Sequence, residues 1–223
     1  MSHTTAEQFG LTGIGPLNII AADVIGGPDA RPIQCTGSLT DDMFENDGQL
    51  TKREVRAITL SALAPSPGDL LWDAGLGSGS VAIEWLLSHP ANKAIGIERD
   101  DVRAARAARN AVSLGVPHLD IRNAAIPDAF ADLATPDAIF LGGGVSGEGM
   151  IAGAWQALKP GGRLVANGVT LETEAALITA HATFGGSLTR ISIERAVPVG
   201  SKTGWRAAMP VMQWAVRKPG ATS

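Results

Sequence analysis

The sequence has very little cysteine, no tyrosine and only scattered histidines. Cys35 is the single cysteine among 223 residues, so no disulfide can form within the chain, and the chain is expected to be cytoplasmic. The four histidines are His3, His89, His118 and His181, and their spacing, with no thiol cluster beside them, is not that of metal ligands. No metal site is therefore expected.

Long hydrophobic runs and an excess of positive charge are also missing. No apolar run approaches the roughly 18 residues that a membrane helix requires, and the N-terminal segment MSHTTAEQFG has neither the cationic start nor the apolar core of a signal peptide. The formal net charge is −4, from 18 Lys and Arg against 22 Asp and Glu, which offers no overall attraction to nucleic acid or to an anionic membrane. Neither is expected as a partner.

The sequence does have enough apolar material for one sizeable core, because 45% of its residues are hydrophobic and only 18% are charged. A change in composition near residue 40 predicts an appendage over residues 1–38, a principal domain over residues 39–218 and a tail over residues 219–223. The appendage contains one strand-like run, residues 17–25, and no partner strand follows it. We interpret the appendage as an edge strand, a linker or the end of a further domain.

From residue 51 onward, helix-like and strand-like segments alternate. TKREVRAITLSAL has Thr51 followed three residues later by Glu54, a capping-box pattern that predicts a helix start at Thr51. Short apolar runs such as LLWDAG, KAIGIE and GRLVANGV then alternate with helical patterns. This alternation predicts an α/β fold with a mostly parallel sheet and helices on both faces.

The C-terminal part breaks this alternation. SLTRISIERAVPV and AAMPVMQWAVRKP are both strand-like, and the loop GSKTGW between them leaves no room for a crossover helix, so they are expected to pair antiparallel. A mostly parallel, seven-stranded sheet with a C-terminal antiparallel hairpin resembles the class I S-adenosylmethionine (SAM) methyltransferase fold, which is Rossmann-like. An all-parallel dinucleotide-binding sheet would lack the hairpin.

The turn after the first predicted strand, in LLWDAGLGSGSVAIEWLL, exposes the backbone where a ligand would lie. Asp73, Gly75, Gly77 and Gly79 occur where this strand turns into a helix. Glycines there let the backbone approach a ligand, and the helix N-terminus offers unpaired N–H groups. A dinucleotide fingerprint requires Gly or Ala where this chain has Ser80, and the Asp-x-Gly-x-Gly-x-Gly spacing instead resembles the first SAM-binding motif.

Two further features stand at the distances expected of a SAM site. Glu98 ends the second predicted strand, 19 residues after Gly79, where an acid can accept hydrogen bonds from both ribose hydroxyls. The segment ALKPGGRLV resembles the turn before the fifth strand of SAM methyltransferases.

Adenine recognition is expected to depart from the common pattern. RNAAIPD, after the third strand, lacks the acid that often holds the adenine amino group. Adenine is therefore expected to be recognised by backbone groups, by Asn123 or by apolar contact with Ile126. The expected cofactor-binding residues are Asp73, Gly75, Leu76, Gly77, Ser78, Gly79, Glu98, Arg99, Asn123, Ala124, Ala125, Gly142 and Gly143.

A longer run resembles a narrower family. FENDGQLTKREVRAITLSALAPSPGDLLWDAGLGSGSVAIEW is similar to the cobalamin-biosynthesis domain that is fused to a second methyltransferase in the precorrin-6Y C-5,C-15-methyltransferases (decarboxylating) and stands alone in precorrin-8W decarboxylase and C-15-methyltransferase. The resemblance covers about residues 39–218, with LTKREVRA, DAGLGSGS, IFLGGG and NGVTLET as its specific segments. In the appendage, GPLNIIAADV resembles the closing strand of the N-terminal, C-5-methylating domain.

The resemblance implies SAM-dependent methylation of a precorrin at C-15, coupled to loss of CO₂ from the C-12 acetate side chain. It implies SAM as the cofactor, S-adenosylhomocysteine (SAH) as its product and a precorrin tetrapyrrole as the substrate. It also implies the N-terminal C-5-methylating domain as a partner in the intact enzyme. Relatives form tetramers, so a homo-oligomer is expected.

Three residues are candidates for catalysis. Thr51 and Lys52 match the TK segment of the family, and the resemblance places them over the active site; for Thr51 a role as a helix cap alone is the alternative. Glu172, in NGVTLET, is a candidate proton donor if its surroundings raise its pKa. A helix-start acid that interacts with the helix dipole is the alternative for Glu172.

The glycines after the fourth strand favour a bulky acceptor. Enzymes that methylate exocyclic amino groups commonly carry an Asn/Asp-Pro-Pro-Tyr/Phe segment there, whereas this chain reads DAIFLGGGVSGEG and contains no tyrosine. Gly142, Gly143 and Gly144 would leave an open mouth beside the cofactor, although a plain loop is the alternative. Gly144 is accordingly a candidate substrate contact.

Cationic residues are candidates for the carboxylates of the substrate. Lys202 and Arg206, in the predicted loop between the terminal strands, are able to pair with substrate carboxylates. Arg103, Arg106 and Arg109 recur every three residues on one predicted helix, and we interpret that stripe as a solvated face.

Two other activities stay open at this point. RNA and protein methyltransferases share the fold, although the negative net charge and the lack of a basic, aromatic-bearing stretch count against RNA. A NAD-dependent oxidoreductase is disfavoured by Ser80 and by the terminal hairpin.

Overall fold

The structure is a computed structural model, which describes residues 3–27, 31, 33–35, 37 and 39–220. The chain divides into two compact units, residues 1–32 and residues 33–223, so the first unit ends six residues before the predicted appendage does (38 − 32). Residues 221–223 of the predicted tail, and several positions of the predicted appendage, lie outside the described residues. The division into appendage, domain and tail stays a prediction.

In the first unit the described residues form neither a helix nor a strand. The strand predicted for residues 17–25 is therefore wrong. Its apolar side chains are exposed, Leu17 and Ile19 at 98% each, and a strand without a hydrogen-bonded neighbour has no ladder to hold it.

The second unit alternates strands and helices. Its α-helices are α1 (Arg53–Leu63), α2 (Ser80–Ser88), α3 (Asp101–Ser113), α4 (Met150–Ala157) and α5 (Leu171–Phe184). Its strands are β1 (Leu70–Ala74), β2 (Lys93–Glu98), β3 (Asp120–Asn123), β4 (Ala138–Leu141), β5 (Arg163–Gly168), β6 (Ser187–Ile191), β7 (Glu194–Val199), β8 (Lys202–Ala207) and β9 (Val211–Arg217). Short 3-10 helices cover Asp41–Met43 and Asp128–Asp132.

Seven of these strands form one sheet in the order β3-β2-β1-β4-β5-β9-β6. Strands β1 to β5 run parallel, and β9 is antiparallel to both β5 and β6. The predicted mostly parallel, seven-stranded sheet with an antiparallel end is confirmed. Because β1 has β2 on one side and β4 on the other, the connections leave it in opposite directions and open a crevice at the carboxyl ends of the strands.

Successive residues of the parallel strands point to opposite faces and enter two separate cores. Leu71 and Phe140 pack in the core that contains apolar residues of α1, α2 and α3, whereas Trp72 and Ile139 pack in the core that contains those of α4 and α5. Both faces of the sheet are thus covered by helices, which explains why β1, β2 and β4 are apolar almost without interruption.

The C-terminal strands differ from the prediction in two respects. The segment SLTRISIERAVPV forms two strands, β6 and β7, which belong to different sheets. The segment predicted as the loop GSKTGW contributes β8, which pairs antiparallel with β7 in a separate two-stranded sheet. Val199 and Lys202 are paired, so the turn is Gly200–Ser201, and Gly200 has φ +59°, as a two-residue hairpin turn requires. Lys202 and Arg206 therefore lie on a strand and not in a loop.

The start of α1 also differs from the prediction. The helix begins at Arg53 with Lys52 as its N-cap residue, and no side chain of the cap position bonds the helix. The predicted capping box at Thr51 is wrong, because Asp41 takes its place: its Oδ1 accepts the Arg53 N–H at 3.0 Å. A carboxylate from earlier in the chain thus satisfies the helix N-terminus.

Candidate functional site

A cleft of about 1070 Å³ opens at the carboxyl ends of β1, β2, β4 and β5. The turns after these strands form its floor, residues 48–52 form one wall, and residues at both ends of the β7–β8 hairpin form another. Ligand pockets commonly measure about 300–1,000 Å³, so this cleft has room for a nucleoside and part of a larger molecule.

The cleft brings together most of the residues that the sequence predicts for a cofactor and a substrate. Those that line it are Thr51, Lys52, Asp73, Gly75, Leu76, Gly77, Ser78, Glu98, Arg99, Ala124, Ala125, Gly142, Gly143 and Gly144. The predicted residues outside its lining are Gly79, Asn123, Glu172, Lys202 and Arg206.

The glycine-rich turn after β1 crosses the end of β2. The N–H groups of Gly75 and Leu76 both donate to the carbonyl of Ile97, at 3.0 and 3.1 Å. Gly75 has φ +84°, and a Cβ there would stand 3.3 Å from the backbone nitrogen of Gly143. The turns after β1 and β4 are therefore in close backbone contact, which only a glycine permits.

Gly77 and Gly79 have different environments although both have positive φ. A Cβ on Gly77 would meet nothing nearer than the Gln49 carbonyl at 3.9 Å, in the cleft. A Cβ on Gly79 would stand 3.3 Å from Cβ of Ala107 on α3 and 3.4 Å from Ile83 on α2. Gly77 thus leaves room for a ligand, whereas Gly79 lets two helices pack.

We expect Gly77→Ala and Gly79→Ala to separate these roles. An alanine held in the left-handed backbone conformation lowers the free energy of unfolding by about 1–2 kcal/mol, and this applies to both variants. Gly79→Ala also brings a methyl group against α3. Gly77→Ala should weaken SAH binding about tenfold or more, because its methyl group enters the cleft. Gly79→Ala should leave the affinity for SAH within about threefold of the wild-type value. Calorimetry and urea unfolding measure the two quantities, and equal losses of affinity would contradict the assignment.

Asp73, at the end of β1, is a buried carboxylate with one free oxygen. It is 1% exposed, its Oδ2 accepts the Ala82 N–H at 3.0 Å, and its Oδ1 has no hydrogen-bond partner among the described residues. Burial raises the pKa of this carboxyl to about 8; the Ala82 hydrogen bond opposes the rise, and the charge of Glu98 adds to it. A cationic ligand group would relieve both the missing hydrogen bond and the cost of the charge.

Glu98 holds the glycine-rich turn from the end of β2. Its Oε2 accepts the Gly77 N–H at 2.9 Å and its Oε1 accepts the Asp100 N–H at 3.1 Å. Each carboxylate oxygen has a second lone-pair site, so Glu98 can still accept bonds from ligand hydroxyls in the cleft. The N-cap of α3 is Asp100, whose side chain accepts the N–H groups of Val102 and Arg103.

The end of β3 offers backbone and apolar groups to the cleft. The Ala124 N–H donates to the Glu98 carbonyl at 3.2 Å, and Ala124, Ala125 and Ile126 line the cleft. The Asn123 amide instead bonds the carboxylate of Asp101, outside the cleft. Of the alternatives left open for adenine, the geometry therefore favours backbone groups and Ile126 over Asn123.

Residues 39–52, which we call the strap, form the wall that carries Thr51 and Lys52. Arg56, fully buried on α1, donates to the carbonyls of Leu39 and Thr51, the latter at 2.6 Å. It also pairs with Glu84 of α2 at 2.6 Å. Both ends of the strap are thus bound to one guanidinium, which fixes Thr51 at the cleft.

Asn110 of α3 is a second, buried anchor of the strap. Its Oδ1 accepts the Glu45 N–H at 2.8 Å, and its Nδ2 donates at 2.9 Å to the carbonyls of both Glu45 and Ser78. Ser78 belongs to the glycine-rich turn. One amide therefore holds the strap against that turn.

The arginine stripe of α3 is partly exposed, as the interpretation of a solvated face expects, but it is also a further link to the strap. Arg103 and Arg106 each approach Asp47 at 3.0 Å, and Arg109 pairs with Glu45 at 2.7 Å. The hydrogen bond from Arg106, with that of the Gln49 N–H, lowers the pKa of Asp47 to about 2. These acids lie too far along the chain for a helix pattern to reveal them.

Three of the five predicted residues outside the cleft lining are candidates for catalysis or substrate binding. Glu172 is exposed at the start of α5, and hydrogen bonds from its own N–H and from Thr170 lower its pKa, contrary to what a proton donor needs. Lys202 and Arg206 lie on the exposed strand β8. Catalytic and substrate roles for these three residues are not supported by this geometry.

Sequence reasoning missed residues that the C-terminal strands bring to the cleft. Ile193, Arg195, Ala208 and Met209 line it from the base of the β7–β8 hairpin. Asn167, at the end of β5, lines it and bonds Thr59 at 2.9 Å. No spacing signal marks these positions, because their place depends on where the chain leaves the main sheet.

The cleft lining contains charges of both signs. Its lining acids, Asp73 and Glu98, are buried beside the glycine-rich turn. Its lining cations are Lys52, Arg99, Arg103 and Arg195. The acids suit a cationic or hydroxylated ligand group, and the cations suit an anionic one.

The described part of the chain contains neither a metal-ligand cluster nor a membrane-spanning helix. No group of three or more His, Cys, Asp or Glu side chains there is arranged to hold a metal ion. No described helix is long and apolar enough to cross a membrane.

Comparisons with known proteins point to one family. A family profile described as "Precorrin methyltransferase domain" matches residues 42–218. A precorrin-6Y C(5,15)-methyltransferase [decarboxylating] of Sinorhizobium sp is 53% identical over 96% of this chain and 52% of its own length. The chain thus spans about half the length of such relatives, whereas it covers 96% of a 30% identical probable cobalt-precorrin-6B C(15)-methyltransferase (decarboxylating) of Saccharolobus solfataricus.

A solved structure extends this likeness to the fold. The C-terminal domain of precorrin-6Y C5,15-methyltransferase from Rhodobacter capsulatus is 42% identical, has a TM-score of 0.78, and the match covers 83% of this chain and all of that domain. The predicted class I SAM-dependent methyltransferase fold is confirmed, and family and fold together imply SAM as the methyl donor. The chain belongs to the precorrin methyltransferase family.

Proposed function

We propose that this chain transfers a methyl group from SAM to C-15 of a precorrin and removes CO₂ from the C-12 acetate side chain. The names of the relatives support this reaction, in particular that of the Saccharolobus solfataricus protein, whose length this chain nearly covers. The observation that carries the proposal is the lining of the cleft, with two buried carboxylates beside a glycine-rich turn and four cations.

The residues at the cleft floor fit SAM. We propose that the free Oδ1 of Asp73 receives the ammonium of the methionine part, and that Glu98 accepts the ribose hydroxyls. Ala124, Ala125 and Ile126 contact the adenine. Gly77 gives the ligand access to the backbone.

SAM supplies an activated methyl group on a sulfonium, so the protein needs no strong base. The chain's contribution is alignment and exclusion of water, for which Leu76, Ile97 and Phe140 provide apolar walls. Fixed alignment corresponds to effective molarities of about 10⁵–10⁸ M in intramolecular analogues. The conjugated nitrogen system of the macrocycle makes the acceptor carbon nucleophilic.

Decarboxylation needs a place for the electrons of the broken C–C bond. The same conjugated system accepts them when CO₂ leaves, and the side-chain carbon later takes up a proton. We propose that Thr51, Lys52 and Gly144 contact the macrocycle, because they line the cleft. Glu172 is a weaker candidate for the proton donor since its pKa is lowered and its side chain is exposed.

The partners of the intact enzyme are part of the proposal. We propose that residues 1–38 belong to the end of a C-5-methylating domain, which the exposed apolar side chains of residues 17–25 support. We also propose a homo-oligomer, for which the exposed Trp205 and Met209 of the hairpin region provide an apolar surface.

Calorimetric titration with SAH, NAD and NADP tests the cofactor. We expect SAH to bind selectively. Incubation with SAM and a precorrin that still carries its C-12 acetate tests the acceptor, and mass spectrometry should show the loss of CO₂ and the gain of one methyl group.

The outcomes separate the alternatives. Selective NAD binding would support an oxidoreductase and overturn the methyltransferase proposal. SAH binding with no change in the mass of the precorrin would retain the cofactor but reject the acceptor, and RNA and protein would then be tested in its place.

A further inference from the structure

The β7–β8 hairpin contributes a cation to the substrate side of the cleft. β7 begins after Ile193, which lines the cleft, and the residues after β8, Ala208 and Met209, line it as well. Arg195 lies between them and its side chain is 43% exposed, at the rim and not in the core. The hairpin thus brings one guanidinium to the open mouth, opposite the buried floor.

Arg195 already holds a carboxylate of this chain. Its Nη2 donates to Oε2 of Glu54, which lies in the first turn of α1, and the Glu54 side chain is 41% exposed. The pair shows that a carboxylate can reach the guanidinium at this position. Because both groups face solvent, the pair contributes little to stability and is readily exchanged for another carboxylate.

The other three cations of the cleft lining differ from Arg195 in their position or in the acid that they contact. Arg103 shares Asp47 with Arg106, and that acid has a lowered pKa. Arg99 follows Glu98 directly, at the cofactor end. Lys52 is near the mouth, with its Nζ 4.0 Å from Asp41, but an ammonium lacks the planar fork that binds a carboxylate through two bonds.

We propose that Arg195 binds a peripheral carboxylate of the macrocyclic substrate, and that Glu54 occupies this position until the substrate displaces it. The inference rests on the proposed function, since that function supplies a polycarboxylate acceptor. It moves the carboxylate-binding role from Lys202 and Arg206 to Arg195. Arg206 is directly opposite Arg195 on the same hairpin face, so it adds positive charge nearby without lining the cleft.

Opposite effects of two substitutions test the proposal. Arg195→Gln should raise KM for the precorrin about 10- to 100-fold, with kcat and KM for SAM within about threefold, and Arg195→Lys should restore part of the loss. Glu54→Gln should lower KM for the precorrin about two- to fivefold, because the internal competitor is gone. A purely structural ion pair would give both substitutions the same direction.

A matched pair outside the cleft provides the control. Arg190 of β6 and Glu174 of α5 form an ion pair at 2.7 Å with side chains 55% and 18% exposed, and neither residue lines the cleft. Arg190→Gln and Glu174→Gln should leave both KM values unchanged. A precorrin whose peripheral carboxylates other than the C-12 acetate are methyl-esterified should show the same KM with wild-type protein and with Arg195→Gln.

The results distinguish this inference from the proposed function. Suppose that wild-type protein methylates the precorrin. If Arg195→Gln then keeps the wild-type KM for the precorrin, or if Glu54→Gln raises that KM, Arg195 does not bind the substrate carboxylate. If wild-type protein binds SAH but neither binds nor methylates a precorrin, the acceptor and this site are both wrong. If SAH does not bind, the cofactor assignment has failed first.

Discussion

Arg56→Met is expected to lower the free energy of unfolding by about 3–5 kcal/mol, because it leaves a buried carboxylate without its cation. Arg56 is fully buried, pairs with Glu84 and donates to the carbonyls of Leu39 and Thr51. Methionine fills similar space but donates no hydrogen bond. Domains are stable by only about 5–15 kcal/mol, so urea unfolding should show a large shift of the midpoint.

Two further variants make this test specific. Arg56→Met combined with Glu84→Leu should recover part of the loss, because no unpaired charge remains in the core. Arg190→Met removes an exposed ion pair and should cost no more than about 1 kcal/mol. If Arg56→Met costs as little as Arg190→Met, the strap is held by other contacts.

Asp73→Asn is expected to weaken SAH binding about 10- to 100-fold and to make the protein more stable at pH 8. The pKa of the Asp73 carboxyl is raised to about 8, above the value of about 3.9 in an unfolded chain. Between these values the unfolded state has released a proton that the folded state still binds. Wild-type stability therefore falls as pH rises from about 4 to 8, by at most about 1.4 kcal/mol per unit.

The asparagine variant does not titrate at this position, so its advantage should grow from pH 5 to pH 8 in urea unfolding. SAH affinity should behave in the opposite way, because the ligand ammonium favours the ionised carboxyl. In wild-type protein the affinity for SAH should rise from pH 6 to pH 8, whereas in Asp73→Asn the affinity should not change over this range. Calorimetry at each pH measures it.

Asp120→Asn is the matched control, since Asp120 is at the start of β3, is 43% exposed and does not line the cleft. It should change neither the pH dependence nor the affinity. Equal SAH affinity of Asp73→Asn and wild-type protein at every pH would contradict the assignment of Asp73 to the ammonium.

The cofactor side of the cleft could be predicted largely from the sequence, because most of its residues are close together in the chain. Asp73, Gly75 and Gly77 are neighbours in the chain, and Glu98 is one strand further on. In a parallel sheet the carboxyl ends of such strands meet at one edge. Gly79 lies outside the cleft lining, and the sequence does not distinguish it from Gly77, because a helix-packing glycine and a ligand glycine share the same local pattern.

The substrate side could be predicted only in part: Thr51, Lys52 and Gly144 line the cleft, whereas three other candidates lie outside its lining. Lys202 and Arg206 were placed near the substrate by a predicted loop that is a strand, and the exposure of Glu172 depends on how α5 leaves β5. Arg195 and Glu54 are 141 residues apart, so no local pattern connects them.

The sequence by itself determined the order of strands and helices up to α5, the parallel sheet and the position of the glycine-rich turn, because hydrophobic period and turn residues act over a few neighbouring positions. Only the tertiary structure decided which charges meet: Asp41 at the start of α1, Arg56 with Glu84, and Arg195 with Glu54. Those pairs join residues that are far apart in the chain. They form only because the packing of the helices and strands around the sheet brings these residues together.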